Sequence, residues 1–399
     1  MSETWRLPRG FRFAGIHAGV RPEGERKDLA LVVSDKPASA AGVFTQNRVC
    51  AAPVQVSRTR VPNDNVRGIV ICSGNANACT GEQGLADARE MTELLAKPLA
   101  VKPEQVLVAS TGIIGRPLPM SALRVGVPKA FGELTSTQAA FENTARAILT
   151  TDTCIKIAQA TLRVGNEEIT ILGFAKGAAM IGPNMATLLA FVLTDATVAA
   201  ADLQALLSRA AERSFNCISV EGHTSTNDTL LLLANGAAGG PALKGEELKQ
   251  FGRAIEEVCQ KLAQAIVNDA EGASKVLTLK VEGLRTEAEC RRVAKAVSES
   301  ALVKTALFGN DPNWGRIVSA AGYAGVAFEE KDLSLWLAGE LLYDHGKPLP
   351  FDAKALSAKL REARFLEATL KFKVGAAILT FWTCDLSYDY VRLNADYTT

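Results

Sequence analysis

The stretch Lys176-Gly-Ala-Ala-Met-Ile-Gly-Pro-Asn-Met-Ala-Thr187-Leu-Leu-Ala-Phe191 joins two strand-like runs and holds the one place where this chain could do unusual chemistry. A connector between strands is ordinarily polar and exposed, because its backbone N–H and C=O groups need partners. This one is apolar, rich in glycine and almost uncharged. Gly177, Gly182 and Pro183 let the chain turn sharply and approach itself closely. A single hydroxyl, Thr187, follows the small Ala186 and precedes a hydrophobic run. Two readings stand: a glycine-rich connector with a packed threonine, or a self-cleavage site at Ala186–Thr187. The second has definite chemistry. A threonine hydroxyl has no strong base of its own, but cutting the bond before it puts a new α-amino group beside it. That amine titrates at about 7.7–8.0 and can act as a base near neutral pH. Threonine with its own amine is an established activated nucleophile, and the small Ala186 leaves its carbonyl open to attack.

Composition narrows the setting. The chain has 399 residues, enough for two or three domains. It is 48% hydrophobic and 22% charged, as in a globular protein with a sizeable core. A formal net charge of +1 gives no electrostatic reason to expect nucleic acid or an anionic membrane as partner. No apolar run reaches the roughly 18 residues of a membrane span, and the start, MSETWRLPRGFRFAG, lacks the apolar region of a secretory signal. Eight cysteines without a C-x-x-C pair read as reduced thiols in a cytoplasmic protein. The three histidines, His17, His223 and His345, are far apart in sequence, so no metal site is expected.

The elements that must position Thr187 follow from pattern. Leu29–Ser34, Ala41–Thr45, Pro53–Ser57 and Gly68–Ser73 read as short strands bounded by turn residues. Gly84–Leu95 and Thr135–Leu149 read as helices. Glu167–Phe174 and Thr187–Thr194 are strand-like and flank the connector, and Asp202–Ser214 is a helix with Asp202 as cap. Asn216–Val220 and Thr229–Ala234 are strand-like. Gly245–Asp269 is the longest helix, with Leu248, Phe251, Ile255, Val258, Leu262 and Ile266 on one face. Lys275–Val281 reads as a strand and Glu287–Ser298 as a helix. The chain closes with two expected strands, Lys371–Thr383 and Ser387–Leu393. Strands and helices mix without regular βαβ alternation, which predicts an α+β layered fold rather than a doubly wound one. A boundary near residue 283 separates a core of residues 1–283 from a smaller α/β unit of residues 284–399. Gly236-Ala-Ala-Gly-Gly240 lacks phosphate-loop spacing and reads as a turn. Asp311, Asn313, Trp314 and Arg316 read as a structural corner, and His223 has no evident catalytic partner.

The segment KGAAMIGPNMATLLAF resembles the signature of the ornithine acetyltransferase family, also called glutamate N-acetyltransferase, which is related to self-processing N-terminal-nucleophile aminopeptidases. The likeness extends over nearly the whole chain: TQNRVCAAPV (45–54), SGNANACTGEQG (73–84), ASTGIIG (109–115), TDTC (151–154), SFNCISVEGHTSTNDT (214–229), DAEGASK (269–275), FGNDPNWGRI (308–317) and NADYTT (394–399). Ala178-Ala179 departs from the Ser-Gly pair that many members carry.

The resemblance implies a layered αββα-type sandwich, cleaved into chains 1–186 and 187–399 that stay together as a heterotetramer. It implies that Thr187 is the nucleophile, that Thr111 and Gly112 form an oxyanion hole, and that Thr153, Lys176, Thr187, Glu271, Asn394 and Thr399 bind substrate. The implied reaction moves acetyl from N2-acetyl-L-ornithine to L-glutamate by a ping-pong route in arginine biosynthesis, with no cofactor and with acetyl-CoA as a second donor in some members. Two other readings of the same residues are an amidase or aminopeptidase using the N-terminal threonine with water as acceptor, and a binding protein that never cleaves.

Overall fold

The computed structural model describes residues 4–21, 24–165, 167–182 and 188–396; Ala186, Thr187 and Thr399 lie outside the described residues. The early strands are β1 (Phe11–Ile16), β2 (Leu29–Phe44), β3 (Asn63–Asn75), β4 (Val106–Ile113), β5 (Lys156–Val164), β6 (Glu167–Lys176) and β7 (Leu189–Thr194), then the two-residue β8 (Ile218–Ser219) and β9 (Thr229–Ala234). All but β8 form one mixed sheet in the order β4-β3-β2-β9-β7-β6-β5, with β1 also paired to β2. Helices α1 (Ala52–Arg58), α2 (Gly81–Leu99), α3 (Met120–Gly132), α4 (Gln138–Ala147), α5 (Ala200–Glu212) and α6 (Gly245–Asn268) cover it.

Strand alternation sorts the sheet's side chains between two faces. On one face, Val32, Ile71, Leu172, Phe174, Phe191 and Leu231 pack with Phe13 and Phe141. The rings of Phe13, Phe141, Phe174 and Phe191 lie 5.1 to 5.5 Å apart in sequence along this face. On the other face, Leu31, Val33, Val70 and Cys72 join the apolar sides of α2 and α3. Ile171, Ala190, Val192, Leu230 and Leu232 meet α5 and α6 there. Along α6, Phe251, Ile255, Val258, Leu262 and Ile266 are all buried, as the spacing requires.

The second sheet is built from β10 (Val276–Leu284), β11 (Ser334–Leu337), β12 (Glu340–Asp344), β13 (Lys347–Pro348), β14 (Phe365–Lys371) and β15 (Ala377–Cys384), with β8 at one edge. Its helices are α7 (Glu287–Ser298), α8 (Ala301–Phe308), α9 (Trp314–Gly322) and α10 (Ala353–Glu362), and α11 (Tyr388–Asp396) ends the described chain. The architecture is α+β, with mixed sheets and helices in layers. The expected boundary near residue 283 falls at the end of β10, the strand between β14 and β15. One buried cluster runs from Ala41 to Cys384 through both sheets.

Several local expectations are corrected. Leu29–Ser34 and all of Ala41–Thr45 but its last residue belong to one 16-residue strand, whose first half pairs with β1 and β3 and whose second half pairs with β9. Register shifts at Val33/Ala38 and Ala38/Ala40 let it bend from one set of partners to the other. Pro53–Ser57 is helical, not extended; Pro53 sits in the first turn of α1, where a missing N–H costs nothing. Asp202 is not the cap of α5: the cap is Ala199, without a side-chain bond, and Asp202 lies in the first turn. Asn216–Val220 is a 3-10 turn followed by the short β8. Lys371–Thr383 is two strands, divided after Lys371 where Phe372 N–H donates to Glu282 O at 2.8 Å. Ser387–Leu393 is not a strand but the start of α11, which Ser387 opens by accepting the Tyr390 N–H at 3.1 Å. The corner at 311–316 is present: Asn313 caps α9 by accepting Arg316 N–H, and its amide donates to Asp311. All eight cysteines are free.

Candidate active site

The apolar connector after Lys176 closes the β6–β7 hairpin, in which Lys176 pairs with Leu189. Its backbone partners come from three acidic side chains. Asp152 Oδ1 accepts Gly177 N–H at 2.6 Å, Glu221 Oε1 accepts Ile181 N–H at 2.5 Å, and Asp228 Oδ1 accepts Leu188 N–H at 3.0 Å. Main chain completes the hold. Ala178 O accepts Glu271 N–H at 2.9 Å, and Ile181 O accepts the N–H groups of Val220 and Gly222. The connector is therefore pinned on both sides of residues 183–187.

Lys176 ends β6 with its side chain inward and buried; its Nζ donates to Thr111 Oγ1 at 3.5 Å. Burial lowers the Lys176 ammonium below its ordinary value, and the Asp152 carboxylate opposes that shift. Burial alone would raise Asp152, but Lys176, Lys156, and the bonds from Lys156 and Gly177 hold it down at about 2. Thr111 and Gly112 lie at the end of β4, where Ser73 pairs with Thr111 and Gly74 with Gly112. Gly112 has φ +134°, and a Cβ there would collide with the Gly74 carbonyl carbon. The buried Asn227 ties this strand end to the start of β9, donating to Ser110 O at 2.8 Å and Ala76 O at 2.6 Å. Asp228, the next residue, reaches Leu188. One strand entrance thus positions both the Thr111–Gly112 corner and the beginning of β7.

Thr153 stands beside a second ionic group. Its N–H donates to Asp269 Oδ2 at 3.0 Å and its hydroxyl to Asp269 Oδ1. Lys156 Nζ bridges Asp152 Oδ1 at 2.7 Å and Asp269 Oδ2 at 2.5 Å. Asp269 closes the C-terminus of α6, and Glu271 follows two residues later. The tail helix docks on this turn. Ser387 Oγ donates to Gly272 O at 2.6 Å, and a Cβ on Gly272, at φ +67°, would strike the Tyr390 backbone. Tyr390 and Asn394, one helical turn apart, share a face, and Asn394 Nδ2 donates to Glu271 Oε2 at 3.1 Å. Burial, with Glu221 and Glu271 nearby, raises the Tyr390 phenol to about 12.

Of the expected residues, Thr111, Gly112, Thr153, Lys176, Glu271 and Asn394 converge on the connector and its supports. The sequence reading missed Asp152, Glu221, Asp228, Lys156 and Asp269. Their signal was available: an apolar connector must find acceptors for its N–H groups, and TDTC and EGHTSTNDT hold Asp152, Glu221 and Asp228. His223 is exposed. Among the described residues no His, Cys, Asp and Glu group could hold a metal ion, and no helix is long and apolar enough to cross a membrane.

The ArgJ family pattern matches residues 12–399. The chain is 48% identical to the arginine biosynthesis bifunctional protein ArgJ 1 of Nostoc sp., over 98% of this chain and 97% of that one. It is 45% identical to the arginine biosynthesis bifunctional protein ArgJ of Geobacter sulfurreducens, over 98% and 99%. A crystal structure of the arginine biosynthesis bifunctional protein argJ from Bacillus halodurans is similar at 37% identity and TM-score 0.50, the match covering 52% of this chain and 98% of that chain. With the family pattern running to the last residue and relatives matched end to end at these identities, this chain belongs to the ArgJ family.

Proposed function

We propose that this protein is an acetyltransferase of arginine biosynthesis that moves acetyl from N2-acetyl-L-ornithine to L-glutamate through an acetyl ester on Thr187. The observation that carries this reading is the convergence of Thr111, Lys176, Glu271 and Asn394 on a connector pinned either side of Ala186–Thr187. Family membership supports it.

Maturation comes first in this reading. Thr187 Oγ attacks the Ala186 carbonyl, the C–N bond breaks, and the nitrogen leaves as the α-amine of Thr187. Water then hydrolyses the ester, freeing the Ala186 carboxylate and the Thr187 hydroxyl. The cut divides β6 from β7, but six residue pairs still join them and β7 stays paired with β9, so chains 1–186 and 187–399 remain one body. Two such pairs form the heterotetramer we infer, which light scattering would read as twice the mass of one pair.

In catalysis the α-amine takes the Thr187 hydroxyl proton as the oxygen attacks the acetyl carbonyl. The Thr111 hydroxyl and Gly112 N–H stabilise the oxyanion, an effect worth on the order of 10²–10³ in rate per donor. Ornithine leaves with the proton, and the amine of glutamate takes the acetyl from the ester. The carboxylate of Glu271, oriented by Asn394, suits a substrate ammonium, and Thr153 offers a polar contact nearby. Acetyl-CoA as a second donor to the same threonine agrees with the word bifunctional in the relatives' names.

A denaturing gel with N-terminal sequencing tests the cut: wild type gives two chains, the second beginning at Thr187, and Thr187→Ala stays one chain of 42.4 kDa. Incubation with N-acetylornithine alone adds one acetyl group to Thr187, removed by glutamate. Hydrolysis at an equal rate without glutamate would make the protein an amidase instead. An intact chain in fully active enzyme would overturn the threonine mechanism.

A further inference from the structure

The two substrates of the proposed reaction end in opposite charges. N2-acetyl-L-ornithine carries an ammonium at the far end of its side chain, and L-glutamate carries a carboxylate. A ping-pong route takes both through one site, so the same pocket must receive a cation and then an anion. The Glu271 carboxylate suits the first and repels the second. A fixed charge at that end cannot serve both.

Glu221 stands where this conflict can be met. Both glutamates are fastened to the same connector. Glu221 Oε1 accepts Ile181 N–H at 2.5 Å, and Glu271 N–H donates to Ala178 O at 2.9 Å, three residues earlier. Tyr390 of α11 lies close enough to both carboxyls for each to act on its phenol. Asn394, one turn further, holds Glu271 Oε2 at 3.1 Å. Glu221 also feels the charge of Glu271 directly. The second oxygen of Glu221, Oε2, is buried and makes no hydrogen bond among the described residues.

We propose that Glu221 is a specificity-determining residue of the substrate pocket: it is a carboxylate beside Glu271 when the distal ammonium of ornithine is bound, and a carboxylic acid donating to the distal carboxylate when glutamate is bound. This rests on the proposed function and deepens it. The proton balance is complete. Binding the ammonium sends the Glu221 proton to solvent, and binding the carboxylate keeps it in place.

The groups around Glu221 leave its charge to the substrate. Burial raises its carboxyl to about 8, and Glu271 adds to the rise; the Ile181 N–H, Lys304 and, least of all, the His223 N–H oppose it. Near neutral pH the proton is therefore held, but loosely. Lys304 of α8 acts on Glu221 through space, because its Nζ donates to Thr383 Oγ1 at 3.3 Å and to Cys384 O. Glu299, after α7, approaches Gly222, where a Cβ would meet its carboxyl carbon at 3.0 Å, and burial raises this carboxyl too. Burial likewise raises the Cys384 thiol of β15 and the Tyr390 phenol, so both stay neutral.

Calorimetry in two buffers of different ionisation enthalpy tests this on cleaved wild-type enzyme. Without an acetyl donor, ornithine and glutamate bind but do not react, and they share the same amino-acid head group. At pH 7 ornithine should release about one proton more than glutamate. Equal proton counts would overturn the proposal. Glu221→Gln still accepts Ile181 N–H and still donates to a carboxylate, but it cannot become an anion. It should raise KM for N-acetylornithine about tenfold or more, leave KM for glutamate within about threefold, and abolish the difference in proton release. A merely structural role would raise both KM values alike, and that outcome also overturns the proposal. Should the variant not fold, the wild-type proton counts decide alone. If wild type transfers no acetyl between these two substrates, the proposed function itself fails; if it transfers acetyl with equal proton counts, only this inference fails.

Discussion

The ammonium of Lys176 lies 3.5 Å from the hydroxyl of Thr111, a contact across 65 residues that joins the end of β6 to the end of β4. Lys176 is buried and faces Asp152, so it sets both the field at the proposed oxyanion corner and the ion balance beneath the connector. Lys176→Met should lower acetyl transfer by about 10²-fold or more. It should also lower the melting temperature, because the Asp152 carboxylate loses the field of Lys176 and keeps only Lys156 as its paired cation. Steady-state rates and thermal unfolding of the same preparation check both. Wild-type rates with unchanged stability would show that the contact has no role in either.

Gly112 cannot carry a side chain in this fold. Its φ of +134° disfavours any L residue, and a Cβ would collide with Gly74 across the β3–β4 pair. Gly112→Ala should displace the Thr111–Gly112 corner and remove most acetyl transfer, with a clear fall in melting temperature. Retained kcat would show that the N–H of Gly112 does not face the reacting carbonyl.

Glu221 links stability to pH. Burial raises its carboxyl from 4.5 to about 8, against the Ile181 N–H and Lys304. The native state therefore binds this proton more tightly than the unfolded chain. The stabilisation is fully present below about 4.5 and is lost as pH rises through about 8. Glu221→Gln keeps an acceptor for Ile181 N–H but cannot ionise. Its melting temperature relative to wild type should rise from about pH 5 to about pH 8 and then level off; a constant difference would show that Glu221 does not hold its proton in the folded state.

The tail helix should matter for substrate rather than for folding. No described residue of α11 is buried, yet Asn394 holds Glu271 Oε2 at 3.1 Å. Deleting residues 394–399 should leave the melting temperature and the 186–187 cut nearly unchanged. It should raise KM for N-acetylornithine tenfold or more, because the substrate is then held less firmly against Thr187. Unaltered transfer at low substrate would remove the tail from the site.

What the sequence determined by itself was chiefly local. The face of α6 followed from residues three and four apart, because helix geometry depends only on near neighbours along the chain. The bounds of Glu287–Ser298 and Thr229–Ala234 followed from their own residues in the same way. The motif around Thr187 and its likeness to a family were also legible, as linear patterns. Tertiary structure decided the rest. Pro53–Ser57 and Ser387–Leu393 are short runs whose spacing suits strand or helix, and the choice fell to Pro53 in a first turn and to Ser387 accepting the Tyr390 N–H. The acidic side chains that pin the connector could not be assigned from their own segments. Asp152, Glu221 and Asp228 come from 25 to 40 residues away from the N–H groups they accept. An unpaired buried N–H states that an acceptor must exist, but only the closed sheet, with β6, β7 and β9 brought side by side, determines which carboxylate arrives there.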